Sequence, residues 1–153
     1  MKPEKIISGG QTGADQGALV GARMVGIPTG GWMPRGFKTE FGLCPELARA
    51  YDMREHPSEL YPPRTAQNVK DADGTIWVSD EDLEDSTGKR CTKRAVEKFN
   101  RPYLENPTPQ RLREWIEEEH IRILNVAGPR RSRDKFAHQR AAELIIAAFG
   151  DGL

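Results

Sequence analysis

The stretch Lys5-Ile6-Ile7-Ser8-Gly9-Gly10-Gln11-Thr12-Gly13-Ala14-Asp15-Gln16-Gly17-Ala18-Leu19 decides how this chain is read. A short β-type run ends on two glycines and passes straight into a helical pattern, predicted over Gly13 to Val25 and stopped by Gly26. Strand, glycine turn and helix start open a βαβ unit, and a helix start offers free N–H groups and a positive dipole end to an anion. Gly9, Gly10 and Gly13, with Gln11 and Thr12 between them, are therefore candidates for a phosphate-binding turn. The spacing is neither GxGxxG nor GxxxxGK[ST], which argues against a dinucleotide fingerprint and a Walker-type loop. Thr12 and Asp15 are also spaced as a capping box, which needs no ligand; contact with ligand is the other reading of Asp15. Gly17 and Gly21 continue a ribbon of small side chains that suits close packing of the helix.

The same rhythm recurs outward from this unit. Ile27 opens a second short strand, and residues 31–63 form a lid-like excursion too rich in Gly and Pro for long regular elements, with room for a short helix from Pro45 to Asp52. A helix from Arg64 to Asp71 leads to the clearest strand, Thr75 to Ser79. Then follow the turn Ser86-Thr87-Gly88, a helix from Thr92 to Phe99, a strand near Pro102 to Leu104, and a helix from Thr108 to Glu119. Ile121 to Val126 is the last strand, and after Ala127-Gly128-Pro129-Arg130 a helix closes from Asp134 to Phe149. Alternating strands and helices predict an α/β, Rossmann-like, doubly wound and mainly parallel sheet in a single domain over 1–153.

Charge and composition narrow the function classes. Lys and Arg number 23, as do Asp and Glu, so the chain lacks the basic excess of a general nucleic-acid binder. Acids gather from Asp71 to Asp85, and Arg130, Arg131, Arg133 and Lys135 crowd one short loop suited to a small anion. Two cysteines without CxxC spacing, no secretory leader and no apolar run of spanning length predict a reduced, cytoplasmic protein outside the membrane. A modest apolar fraction of 37% makes self-association into a homo-oligomer an expectation. The three histidines show no metal-ligand spacing, so no metal site is expected.

Loops at the carboxyl ends of parallel strands converge on one crevice, which makes the three glycine-bearing exits the expected ligand site. Thr87 and Gly88 belong to the second exit; Gly128, Pro129, Arg130 and Ser132 belong to the third, where a guanidinium can clamp an oxyanion. Arg64, Thr65 and Asn68 come from a helix face that could reach the same crevice, or else form a structural cap. Trp32 could stack on a planar base or pterin, or serve the core. Glu40 is the acid–base candidate on the excursion and Asp15 the one beside the turn. An ordinary surface acid is the alternative for Glu40.

GGQTGADQGAL, GIPTGGWMPRG, RTAQNV, DGTIWVS and LNVAGPRRS, in that order, resemble the "putative molybdenum carrier" family. That family is related to a Rossmann-like nucleotide-binding group that includes phosphoribohydrolases and DprA-like DNA-processing proteins. The resemblance implies an oligomer with a site for a phosphorylated ligand, a nucleotide or the molybdenum cofactor, at Gly9 to Asp15, Arg64 to Asn68 and Gly128 to Ser132. This chain departs from the family where Lys89 follows Gly88. It also lacks the PGGxGTxxE signature that supplies a catalytic Glu to the phosphoribohydrolases. The expected function is a binding or carrier protein, with a nucleotide-processing hydrolase and a ligand sensor as alternatives.

Overall fold

A computed structural model describes residues 2–80 and 86–151. Of the acids gathered from Asp71 to Asp85, those beyond Asp80 lie outside the described residues. Five parallel strands, β1 (Lys5–Ile7), β2 (Thr29–Gly30), β7 (Gly74–Trp77), β8 (Tyr103–Glu105) and β9 (Ile123–Ala127), form the central sheet in the order β2-β1-β9-β7-β8. Among the described residues six helices accompany it: α1 (Ala14–Met24), α2 (Pro45–Tyr51), α3 (Tyr61–Asp71), α4 (Thr87–Phe99), α5 (Pro109–Glu118) and α6 (Ala137–Phe149). The expected α/β architecture with a parallel sheet is present.

Strand side chains alternate between faces, and the register turns that alternation into two chemically distinct layers. Ile6 pairs with Leu124, and Ile76 with Val126, and all four join the core cluster that α1, α5 and α6 cover. The opposite face carries Thr75, Trp77 and Asn125, with Thr75 registered against Asn125. Asn125 donates from Nδ2 to the Thr75 hydroxyl at 3.2 Å, which meets part of the hydrogen-bonding demand of two buried polar groups. The helices α3 and α4 pack together on this polar side around Val69, Ala95 and Val96. Thus one face of the sheet is a dry core and the other offers polar groups at its centre.

The excursion is more ordered than its Gly and Pro content suggests. Short strands β3 (Trp32–Met33) and β6 (Arg54–Glu55) pair in parallel, and β4 (Lys38–Thr39) with β5 (Gly42–Leu43) makes a hairpin. Leu19, Met33, Ala48 and Met53 give it a core of its own against α1. The third helix starts at Tyr61 instead of Arg64, because Pro62 and Pro63 occupy its first turn, where a missing N–H costs nothing. Likewise Ser86-Thr87-Gly88 is a helix start and not a free turn: Ser86 caps α4, its Oγ accepting from the Lys89 N–H at 3.0 Å. No helix among the described residues is long and apolar enough to cross a membrane.

Candidate ligand-binding site

The exits of β1, β7 and β9 meet around a cavity of about 240 Å³, on the polar side of the sheet. Gly9 and Gln11 reach it from the first exit, Thr87 and Gly88 from the second, and Gly128, Pro129 and Arg130 from the third. Arg64, Thr65 and Asn68 enter from α3, and Asp15 from α1. Gly9 has no side chain for a reason: a Cβ there would lie 2.7 Å from the Arg64 guanidinium and 2.9 Å from an Asp15 carboxylate oxygen.

Arg64 is 8% exposed and anchors the chemistry of the cavity. Its Nη1 donates to the Thr65 hydroxyl and, at 3.4 Å, to the Tyr61 carbonyl, while Nη2 faces Asp15 Oδ2 at 3.8 Å. Its Nε is buried with no hydrogen-bond partner. Trp77, 2% exposed on the same cavity wall, has an equally orphaned indole Nε1–H. Both are donors awaiting an acceptor, and an unmet buried donor costs about 1–3 kcal/mol.

Sequence reading missed Trp77 and Tyr61 as lining residues. The available signal for Trp77 was its place as a large aromatic two residues after Thr75, on the same strand face. Asn106 fixes that end of β7, accepting the Ser79 N–H at 2.7 Å and donating its own N–H to the Trp77 carbonyl at 2.8 Å.

Asp15 is not one half of a capping box with Thr12. Gly13 occupies the N-cap of α1 with φ 81° and no side-chain cap bond, and Asp15 Oδ2 accepts the Gln11 N–H at 3.2 Å. Burial pushes the Asp15 carboxyl up to about 6, with Arg64 and the Gln11 N–H partly offsetting it. The folded protein therefore binds this proton more tightly than the unfolded chain, whose value is 3.8. Stability contributed by the group falls as pH rises from 3.8 to about 6, by on the order of 2–3 kcal/mol, and is flat above. Chemical denaturation across that window reads the slope, which Asp15→Asn is expected to abolish; an unchanged slope in the variant refutes the assignment.

Gly10, Thr12, Gly13, Trp32, Glu40 and Ser132 lie outside the cavity, and Thr12, Glu40 and Ser132 among them form one connected latch. Thr12 Oγ1 donates to Glu40 Oε1 at 2.5 Å and accepts the Arg131 N–H at 3.1 Å. The same Glu40 carboxylate accepts from the Ser132 N–H at 3.1 Å and the Ser132 hydroxyl, and lies 3.4 Å from Arg130 Nε. Burial raises its pKa, but Ser132, Thr12 and Arg130 outweigh burial and hold the carboxyl below its usual range. Glu40 therefore closes the β4–β5 hairpin onto the first and third exits and is not a free surface acid. Gly10 (φ 71°) packs against Met33, and Gly13 against the Pro129 carbonyl, where a Cβ would lie 2.4 Å away. Trp32 donates from Nε1 to Asp71 and packs edge-on to His56, so its ring serves the excursion. Of 31–63, only Tyr61 and Pro62 line the cavity, so most of the excursion stands beside the site and does not cover it. Asn68 holds β3 to α3 by accepting the Trp32 N–H at 2.8 Å and donating to its carbonyl at 3.1 Å.

Comparison with known proteins adds a family. A model of the circularly permutated YpsA SLOG family matches residues 6–149. A crystal structure of "Putative molybdenum carrier protein" from Syntrophus aciditrophicus SB is 36% identical, with a TM-score of 0.85, over 97% of this chain and 96% of that one. No curated protein matches.

Proposed function

The chain belongs to the circularly permutated YpsA SLOG family, and from that premise we propose that its cavity binds a phosphorylated heterocyclic small molecule, either a nucleotide or the molybdenum cofactor. The observation that carries this reading is Arg64: a buried guanidinium, only partly balanced by Asp15, with an unpaired donor on the wall of a cavity. A buried cation is costly unless compensated, and an anionic ligand supplies what one carboxylate at 3.8 Å leaves unmet. Tyr61, Pro62 and Trp77 provide flat apolar surface for the heterocycle, the role considered at first for Trp32. Arg130, half exposed at the mouth, supplies a second positive charge. At about 240 Å³ the cavity lies at the small end for small-molecule sites, roughly 300–1,000 Å³, which favours one small phosphorylated molecule over a dinucleotide. The name of the Syntrophus relative keeps molybdenum cofactor among the ligands.

Thermal-shift and native mass-spectrometric screening with nucleoside mono- and diphosphates and with molybdenum cofactor tests the reading. Stabilisation by at least one of them, lost in Arg130→Ala, is expected; no stabilisation by any of them ends it. Asp15 favours a second reading, a nucleotide-processing hydrolase, because a cavity carboxyl titrating near 6 can give and take a proton. Release of base from nucleoside monophosphates would establish turnover, and its absence leaves the carrier. Self-association belongs to the proposal as well, and light scattering of the purified protein measures it.

A further inference from the structure

We propose that the ligand's anionic group sits at the N-terminus of α4, held by the backbone N–H groups of Thr87 and Gly88 with Arg64 and Trp77, and not in the glycine-rich exit of β1. The placement rests on the cavity binding a phosphorylated ligand and adds where its charge goes.

Most donors of the β1 exit are committed, and Gly9 stands against an Asp15 carboxylate oxygen. Gly10 N–H goes to Ser8 Oγ at 3.3 Å, Gln11 N–H to Asp15 Oδ2 at 3.2 Å, Thr12 N–H to its neighbour's Gln11 Oε1 at 3.0 Å, and Ala14 N–H to the Pro129 carbonyl at 3.1 Å. What this exit turns to the cavity includes the Asp15 carboxylate, which repels an anion.

The start of α4 is the opposite case. First-turn N–H groups have no partner within their own helix, and those of Thr87 and Gly88 make no hydrogen bond to another described residue. Thirteen residues of helix direct a positive dipole end at this point. Gly88 leaves open space, since a Cβ there would meet nothing closer than 3.9 Å, where the Trp77 ring and Ser86 Oγ stand. Independent of the helix, Trp77 Nε1 and Arg64 Nε are buried donors without partners on the same cavity. Arg64 also acts on this helix: its charge lowers the pKa of Cys91, one turn further on, against the rise that burial imposes. Arg64 and Trp77 line the same cavity as the start of α4, so an anion bound there has dipole, unpaired amides, indole and guanidinium around it.

Titration of 15N-labelled protein with inorganic phosphate and with AMP locates the group directly, because each indole N–H gives its own signal. Shifts are expected at the Thr87 and Gly88 amides and at the Trp77 indole. Gly88→Asp is expected to weaken AMP roughly 30-fold or more, by like-charge repulsion, and to weaken adenosine by a clearly smaller factor. An acidic group in the first turn also suits the helix, so the variant folds. Shifts gathered on Gly10 to Gly13, with AMP affinity kept in Gly88→Asp, overturn the placement and leave the ligand-binding reading standing. No shift with either probe removes both.

Discussion

Gly17→Ala is expected to lower the unfolding temperature by roughly 5–10 °C, although alanine is the better helix former. Propensity alone would stabilise the variant by about 1 kcal/mol. Against it stands the approach of two helices: a Cβ on Gly17 would lie 2.2 Å from the His138 carbonyl oxygen, with His138 C and Cα within 2.9 Å. All three are backbone atoms of α6, so no side chain can rotate away. Separating α1 from α6 loosens the main core cluster, to which both helices contribute, and overpacking of this kind costs about 3 kcal/mol or more. The net loss is about 2 kcal/mol or more. Gly88→Ala provides the contrast, because open space around that position leaves only the favourable propensity term. Calorimetry of the two variants decides the matter; an unchanged or higher unfolding temperature for Gly17→Ala would show that the helices do not pack this closely.

Arg64→Ala is expected to weaken ligand binding roughly 100-fold, the loss typical of truncating a buried, charge-assisted hydrogen-bond partner. The same change removes the largest influence that holds the Asp15 carboxyl down. Its proton affinity in the folded state then rises above the present value of about 6, while the unfolded value stays at 3.8. The Asp15 contribution therefore keeps falling with rising pH beyond 6, where in the parent it is flat. Arg64→Lys separates the two effects. Lysine retains the charge beside Asp15 but not the planar guanidinium, so the pH profile returns towards that of the parent while affinity stays low. Isothermal titration and denaturation across pH measure both, and full affinity in Arg64→Ala would sink the proposed function.

The fold was legible because its signals are local. KIIS followed by two glycines, TIWVS, and ILNVA before Gly128 each carry a strand and its exit, and βαβ order leaves few ways to arrange them. Legibility stopped where roles depend on residues distant in the chain. Thr12 reads as a helix cap in isolation, yet Glu40 and Arg131 engage its hydroxyl, the latter 119 positions away. Glycine spacing points to the first exit as the anion site, but only coordinates show that Asp15, Gln11 and Pro129 take up three of its N–H groups. Trp77 reads as an ordinary strand residue until the register places it with Asn125 on the polar face. Pro62 and Pro63 read as breakers, although the first turn of a helix is the one place where they fit.

The position of β9 bears on how the molecule comes into being. It is the last strand in chain order, yet it lies at the centre of the sheet, between β1 and β7. Until residues 123–127 are available, the pairs β2-β1 and β7-β8 share no edge, and two-stranded pairs of this size are marginal by themselves. Joining them needs contacts spanning most of the chain, the slow kind of pairing. Gly128, Pro129 and Arg130 follow that strand directly, so the segment that knits the halves together also brings the third wall of the cavity. Before that step each half holds only part of the cavity wall. The complete cavity and the complete sheet therefore arrive in the same step.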